Sequence, residues 1–248
     1  MTGDGVNDIL ALKEADCSIA MASGNEAVRS VSHMVLMNSD FSSMPETVIE
    51  GRRVINNVQK SSTLFSMKTI FSVVFSVLTL LFRIPYPLEP VQLLMLEFFV
   101  IGIPSFFLAF LPNDKPIEGK FIYNLFKNSL PGAVTLIVNA IAIYLFVYFT
   151  EGFLTGNGID VAISTMISLV ATFTGLGLLF RLCKPINALT GTLYGGMLTA
   201  ILICIIFFPS FFMLEVIGLT YTLWVIILSI LAPTLINTFY KLFAKIRL

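Results

Sequence analysis

Seven residues near the start of the chain combine the side chains and the backbone freedom that a phosphate and metal site needs. They are Thr2-Gly3-Asp4-Gly5-Val6-Asn7-Asp8. Glycines let the backbone approach a ligand closely, and carboxylate oxygens are hard ligands that Mg²⁺ takes together with phosphate and water. The composition of this loop therefore indicates a magnesium and phosphate site, although a Gly-Asp-Gly loop taken alone is also compatible with an ordinary turn.

Two ionisable residues lie well inside long apolar segments, Lys68 and Glu97. A charged side chain at the centre of a bilayer costs about 2.5 to 3.5 kcal/mol on insertion scales, so a functional role facing the protein interior is the default interpretation. The alternative is a Lys68–Glu97 ion pair that only ties two helices together.

The composition is that of a membrane protein. Of 248 residues, 56% are hydrophobic and only 30 are charged, and the 15 basic residues balance the 15 acidic ones. This balance offers no basic face for a nucleic-acid partner. Because 13 of the charged residues fall among the first 60, we interpret the chain as a short polar segment followed by a membrane domain.

Six apolar segments are each long enough to cross a hydrocarbon core of about 30 Å as a helix. We therefore predict a multi-pass α-helical protein whose partner is the lipid bilayer. The predicted spans are 62–82, 91–111, 130–149, 162–180, 189–208 and 219–239.

The basic residues between the predicted spans indicate the orientation, because Lys and Arg are enriched in cytoplasmic connections. They cluster before the first span and after the second, fourth and sixth. The other three connections together contain one basic residue, Arg83. We therefore expect both termini in the cytoplasm. The clustered residues are Arg52, Arg53, Lys60, Lys115, Lys120, Lys127, Arg181, Lys184, Lys241, Lys245 and Arg247.

The polar segment has the alternating pattern of an α/β domain with a parallel sheet. A Gly-rich loop is followed by a helix at 9–15, a strand at 17–22, a helix at 25–32 and a strand at 33–37. Two strands cannot form a stable domain alone, so we interpret them as one edge of a larger domain. A further helical stretch runs from Met44 into the first span. The predicted parts are a domain fragment at 1–43, a connecting helix at 44–61, a membrane domain at 62–240 and a tail at 241–248.

Several runs of sequence resemble the C-terminal part of the P-type cation-transporting ATPases. TGDGVND, followed by ALKEAD and SIAMASGNEAVRSVSHMVL, resembles the hinge motif and the end of the phosphorylation domain of that family. GRRVINNVQKS and PVQLLMLEFFVIGIP resemble the start of its fifth and sixth transmembrane helices. The resemblance covers essentially the whole chain.

This resemblance implies ATP-driven cation transport through a phospho-aspartate, with a haloacid-dehalogenase-like phosphorylation domain. Asp4 would ligate Mg²⁺, Asn7 would bond the phosphoryl oxygens, and Asp8 would hold the site together. Thr2 and Gly3 of the same motif would adjoin the bound phosphate. ATP would be the substrate, but its binding domain is not part of this sequence.

The resemblance also places the ion site of the family around Thr69, Ser72 and Glu97, with Lys68 beside them as a built-in counter-charge. Some bacterial pumps share a lysine there, so we expect a bacterial plasma membrane. Calcium is the leading transported cation, and magnesium, another divalent ion or proton-linked transport are alternatives. Gly102-Ile103-Pro104 interrupts the second span, either freeing carbonyls for an ion or forming a simple kink.

The nucleophile of the family lies in a DKTGT motif, which this sequence does not contain. We therefore expect the chain alone not to hydrolyse ATP and to need the N-terminal part of a pump as its partner. One alternative is a non-catalytic membrane fragment of a truncated pump gene. A passive six-helix channel is disfavoured, because a channel has no use for TGDGVND.

Overall fold

A computed structural model describes residues 1–152 and 158–245. The chain divides into two compact units, Met1–Arg53 and Val54–Leu248. Arg247, which belongs to the basic pattern described above, lies outside the described residues, as does the rest of 246–248.

The first unit contains a three-stranded parallel sheet in the order β1-β2-β3. The strands are β1 (Thr2–Gly3), β2 (Ile19–Met21) and β3 (Met34–Leu36), and the crossovers carry α1 (Ile9–Glu14) and α2 (Glu26–Val31). The predicted α/β order is confirmed, but the prediction of two strands was wrong. Thr2 and Gly3 pair with Ile19 and Ala20, so the motif begins as a strand rather than as a loop.

A small apolar core explains why these short elements form. Leu12 of α1, Ala20 of β2 and Val28 of α2 are completely buried against one another. Ile9 and Val35 pack on the same cluster. The helices therefore cover the sheet, as parallel strands require.

The chain contains six helical segments that are long and apolar enough to cross a membrane within its described part. This confirms the predicted multi-pass membrane fold. The long helices are α3 (Met44–Phe82), α6 (Phe121–Glu151), α7 (Ile159–Leu182), α8 (Ala188–Phe207) and α9 (Leu219–Lys245), and the remaining span is Pro90–Ala109.

The span Pro90–Ala109 is irregular. It comprises a 3₁₀ turn, the short helix α4 (Leu94–Leu96), a π-helical segment at Glu97–Gly102 and α5 (Ile103–Ala109). Pro104 cannot donate a backbone hydrogen bond, and its ring crowds the carbonyl four residues earlier. In the wider π turn the N–H of Ile103 bonds the carbonyl of Phe98 instead. The irregular segment therefore begins at Glu97, five residues before the predicted interruption.

Helix α7 is the central helix of the second unit, and small residues allow its neighbours to approach. A Cβ atom at Gly175 would lie only 2.7 Å from Leu96 Cδ1 and 2.9 Å from Val100 Cγ1. A Cβ at Gly132 of α6 would lie 2.8 Å from the sulfur of Met67. These two glycines bring α6 and α7 close to α3 and to the π-helical segment.

Side-chain amides hold the ends of the spans together. Asn57 on α3 donates to the carbonyl of Leu111 at 2.8 Å, and its neighbour Asn56 donates to that of Lys115 at 2.9 Å. Gln92 donates to Ser164 Oγ at 2.9 Å and to the carbonyl of Met213 at 3.0 Å. Hydrogen bonds to backbone carbonyls thus position the connections at both ends of the helices.

Candidate functional site

The Asp8 side chain folds back over the motif in the first unit. Its Oδ2 accepts hydrogen bonds from the backbone N–H groups of Asp4 and Gly5, each at 3.2 Å. Gly3 makes this approach possible, because a Cβ there would lie 2.7 Å from Asp8 Cβ and 2.8 Å from Asp8 Oδ2. The carboxylate of Asp8 therefore holds the turn that presents Asp4.

The loop after β2 supports the same turn from the other side. The N–H of Asn25 donates to the carbonyl of Asp4 at 3.1 Å, and a Cβ at Gly24 would lie 2.7 Å from that carbonyl oxygen. Gly24 and Asn25 were not predicted as site residues from the sequence. The only available signal was the Gly-Asn pair just before α2, where Asn25 caps the helix by accepting from Ala27.

Asp4 and Asn7 present their side chains to solvent, and neither side chain bonds another described residue. One free carboxylate beside a carboxamide suits a Mg²⁺ ion that keeps most of its ligands from phosphate and water. Within the described residues no three His, Cys, Asp or Glu side chains converge as a self-sufficient metal site. Thr2 is half-buried and Gly3 is buried in β1. The donor set therefore fits a magnesium ion shared with a phosphate.

In the second unit, Lys68 of α3 forms an ion pair with Glu97 at the start of the π-helical segment. Lys68 Nζ is the donor and Glu97 Oε1 the acceptor. The two side chains are 27% and 41% exposed in this chain. The pair thus lies on a side of the helix bundle that the described helices leave partly open.

The two hydroxyl residues near this pair have other partners. Thr69 is exposed, and its hydroxyl donates to the carbonyl of Phe65 in its own helix at 3.0 Å. Ser72 is half-buried and lies beside Tyr86, whose pKa is raised by burial. The structure therefore brings Lys68 and Glu97 together but does not direct the hydroxyls of Thr69 and Ser72 at that pair.

Polar residues in the later spans make contacts between or within helices. Asn139 of α6 donates to Thr174 Oγ1 of α7 at 3.2 Å, and Thr172 donates to the carbonyl of Ser168. The carbonyl oxygen of the Asn139 side chain is buried without a partner among the described residues.

A cavity of about 600 Å³ opens between the connection after α3, the first turns of α7 and the connection after α8. Three carboxylates line it, those of Glu89, Asp160 and Glu215, together with Gln92 and Tyr144. None of these three carboxylates was predicted as a site residue, because they lie near the ends of the spans and far apart in the sequence.

Similar proteins are named as cation or calcium pumps. The chain is 40% identical over 194 residues to the "Probable cation-transporting ATPase exp7" of Streptococcus pneumoniae, which covers 75% of this chain. It is 39% identical over 158 residues, or 60% of the chain, to the "Calcium-transporting ATPase CtpE" of Mycobacterium bovis. It is 43% identical over 117 residues, or 47% of the chain, to a "Probable calcium-transporting ATPase" of Trypanosoma brucei brucei.

The matched regions are a minor part of these relatives. The chain spans 24%, 20% and 12% of their respective lengths. No protein-family model matches the chain.

Proposed function

Since this chain is homologous to cation-transporting ATPases, as its resemblance to the C-terminal part of a P-type pump predicted, we propose that it supplies two parts of such a pump. The first is the hinge motif of the phosphorylation site, and the second is a group of six membrane spans that contains part of the ion pathway. The remaining parts, including a DKTGT nucleophile, would come from a segment that this sequence does not contain.

The two hydrogen bonds that Asp8 accepts from the backbone of the motif are the observation that carries this proposal. Phosphoryl transfer depends mainly on positioning and on neutralising charge. A carboxylate that accepts from the N–H groups of Asp4 and Gly5 holds the turn in one conformation, and the free carboxylate of Asp4 points to solvent. Asp4 would hold the magnesium ion, and Asn7 would donate its amide to the phosphoryl group. A bound Mg²⁺ supplies charge neutralisation at the phosphate.

In the membrane domain, we propose that Glu97 is a ligand of the transported cation and that Lys68 replaces the cation when it leaves. The ion pair supports this role, because Glu97 then has a positive partner in both states. The partial exposure of both side chains leaves room for ligands from other spans of the pump. Calcium is the first candidate, because two of the relatives named above are calcium-transporting ATPases.

The test uses the pump formed by this segment together with its DKTGT-bearing part. Asp4→Ala should abolish Mg²⁺-dependent phosphoenzyme formation from radiolabelled ATP, because the metal loses its carboxylate. Asp16→Ala is the matched control, since Asp16 is an exposed carboxylate of the same unit outside the motif. Normal phosphorylation of the Asp4 variant would contradict the proposal.

Transport is measured separately, as uptake of radioactive calcium into sealed vesicles containing the pump. ATP-dependent uptake that is lost in a Glu97→Gln variant is expected. If phosphoenzyme forms but no calcium moves, the same vesicles are tested with magnesium, other divalent ions and a pH-sensitive dye.

A further inference from the structure

The second unit contains another cavity, of about 860 Å³, at the end of the helices opposite the acidic cavity. It lies between α3, the segment that follows α5, the start of α6 and the connection from α7 to α8. We call it the basic cavity, because four cationic side chains line it, those of Lys60, Lys115, Arg181 and Lys184.

These four cations are only partly neutralised within the cavity. Asp114 and Glu118 also line the cavity, which leaves a net charge of +2. Within residues 1–152 and 158–245, none of the four cations has a carboxylate oxygen within 4.0 Å of its nitrogen atoms.

The partners that two of these cations do have are uncharged. Arg181 donates to Asn237 Oδ1 at 2.5 Å and lies 3.6 Å from the centre of the Tyr240 ring. Lys184 lies 5.2 Å from the centre of the Phe180 ring. Cys183 also lines the cavity, but burial raises the pKa of its thiol, so it stays neutral and supplies no negative charge. Among the described residues, the lining of the cavity thus keeps an excess of two positive charges.

Neutral hydrogen-bonding groups surround the cations. Asn124, Asn128, Asn187 and Thr190 line the same space. Phosphate oxygens accept several hydrogen bonds at once, and bonds from cationic donors to them are about twice as strong as neutral ones. The chemistry of the lining therefore fits an anionic phosphate group.

The cavity lies at the ends of the predicted spans, where membrane head groups are expected. Lys60 is two residues before the predicted first span, Arg181 is in the last turn of α7, and Thr190 is in the first turn of α8. Basic pockets between transmembrane helices are a recognised setting for anionic phospholipid head groups.

From these observations we propose that the basic cavity binds a phosphate-bearing anion, supplied by the head group of an anionic phospholipid. The phosphate would lie among Lys60, Lys115 and Lys184, and the acyl chains would extend along the outer surface of the spans. This binding is independent of ATP and of the motif at Asp4.

The test measures lipid retention by the chain in nanodiscs that mix phosphatidylglycerol with phosphatidylcholine. Native mass spectrometry would count the phosphatidylglycerol molecules that stay bound. The double variant Lys60→Gln/Lys184→Gln should bind phosphatidylglycerol more weakly, by about fivefold for each lysine removed. The matched control is Lys120→Gln with Lys241→Gln, which removes two exposed lysines that do not line the cavity.

The Lys115→Gln variant keeps the test valid if the Lys60 variant does not fold, because Lys115 is exposed. Circular dichroism would verify that each variant is helical. Equal phosphatidylglycerol retention by the cavity variants and by the control pair would overturn a phospholipid source.

A second measurement distinguishes the sources of phosphate. The chain in pure phosphatidylcholine nanodiscs is titrated with radiolabelled inorganic phosphate. If inorganic phosphate binds and this binding needs Lys60 and Lys184, but phosphatidylglycerol is not selectively retained, the cavity is a phosphate site for a soluble anion and the phospholipid source is overturned. Absence of both kinds of binding would overturn the proposal.

Discussion

At the scale of single residues, the two sites depend on side chains whose neighbours leave little freedom. Asp8 reaches the N–H groups of Asp4 and Gly5 only because Gly3 has no side chain. Lys68 and Glu97 each have the other as an ionic partner. Both sites can therefore be tested by substituting these residues.

The two glycines of the motif should respond differently to alanine. Gly3→Ala places a Cβ 2.7 Å from Asp8 Cβ, so the carboxylate must move and release the turn of Asp4, whereas the nearest atom to a Cβ at Gly5 is 3.7 Å away. Because a displacement of about 1 Å can cost about 100-fold in rate, phosphoenzyme formation in the complete pump should fall by that order for Gly3→Ala. Gly5→Ala should change it little. Equal rates for the two variants would contradict the positioning role of Asp8.

The Lys68–Glu97 pair should behave as one unit in a double-mutant cycle. Lys68→Met or Glu97→Gln alone leaves one charge without its partner. Breaking a buried pair costs about 3 to 5 kcal/mol of stability, and the loss here should be smaller because both side chains are partly exposed. The double variant should unfold at a higher temperature than either single variant and still fail to transport. Thermal unfolding of the chain and transport by the complete pump measure the two effects.

Two outcomes of this cycle would be decisive against the proposal. Additive losses of stability would mean that the side chains do not interact. Normal transport by the double variant would mean that the pair is structural and that Glu97 is not a ligand of the cation.

At the scale of elements, the π-helical segment Glu97–Gly102 interrupts the α-helical geometry of the span Pro90–Ala109. Such segments often occur at functional sites. Here it carries Glu97, and its Val100 packs where α7 has Gly175 in place of a larger residue. The position of Glu97 therefore depends on how closely α7 approaches.

Gly175→Ala should disturb this packing. The added methyl would lie 2.7 Å from Leu96 Cδ1 and 2.9 Å from Val100 Cγ1, which predicts a loss of about 1 to 3 kcal/mol from overpacking. Gly196→Ala in α8 is the control, because among the described residues no atom beyond its chain neighbours and its own helix backbone lies within 4 Å of a Cβ there. That variant should be neutral or more stable by up to about 1 kcal/mol, because alanine favours a helix. A melting temperature that falls equally for both variants would contradict the close approach of α7.

At the scale of the whole molecule, the second unit separates its charges between the two ends of the helices. The acidic cavity contains Glu89, Asp160 and Glu215, whereas the basic cavity contains Lys60, Lys115, Arg181 and Lys184. This separation follows the pattern of basic connections in the sequence. It agrees with a topology in which the basic end faces the cytoplasm.

The topology is itself testable. A phosphatase reporter, which is active only outside the cytoplasm, should be inactive when fused after Leu248 and active when inserted after Arg83. Because the basic residues determine orientation in short connections, the opposite pattern of activity would reverse the predicted orientation of every span.

Local patterns were enough to predict the six spans, the parallel α/β unit and the motif. A helix that crosses a bilayer needs about 20 consecutive apolar residues, so each span can be recognised from one short stretch of the sequence. The TGDGVND residues are consecutive, so their chemistry is also local. Their proposed roles at Asp4, Asn7 and Asp8 stay predictions, as does the role of Glu97.

Tertiary structure decided the features that join distant residues. The support of Asp4 by Gly24 and Asn25, the π-helical segment and the basic cavity all depend on contacts between elements. Lys60, Lys115 and Lys184 are far apart along the chain, and no periodicity within a single helix indicates that they share a cavity. They share the cavity because the fold brings together α3, the segment between α5 and α6, and the connection from α7 to α8.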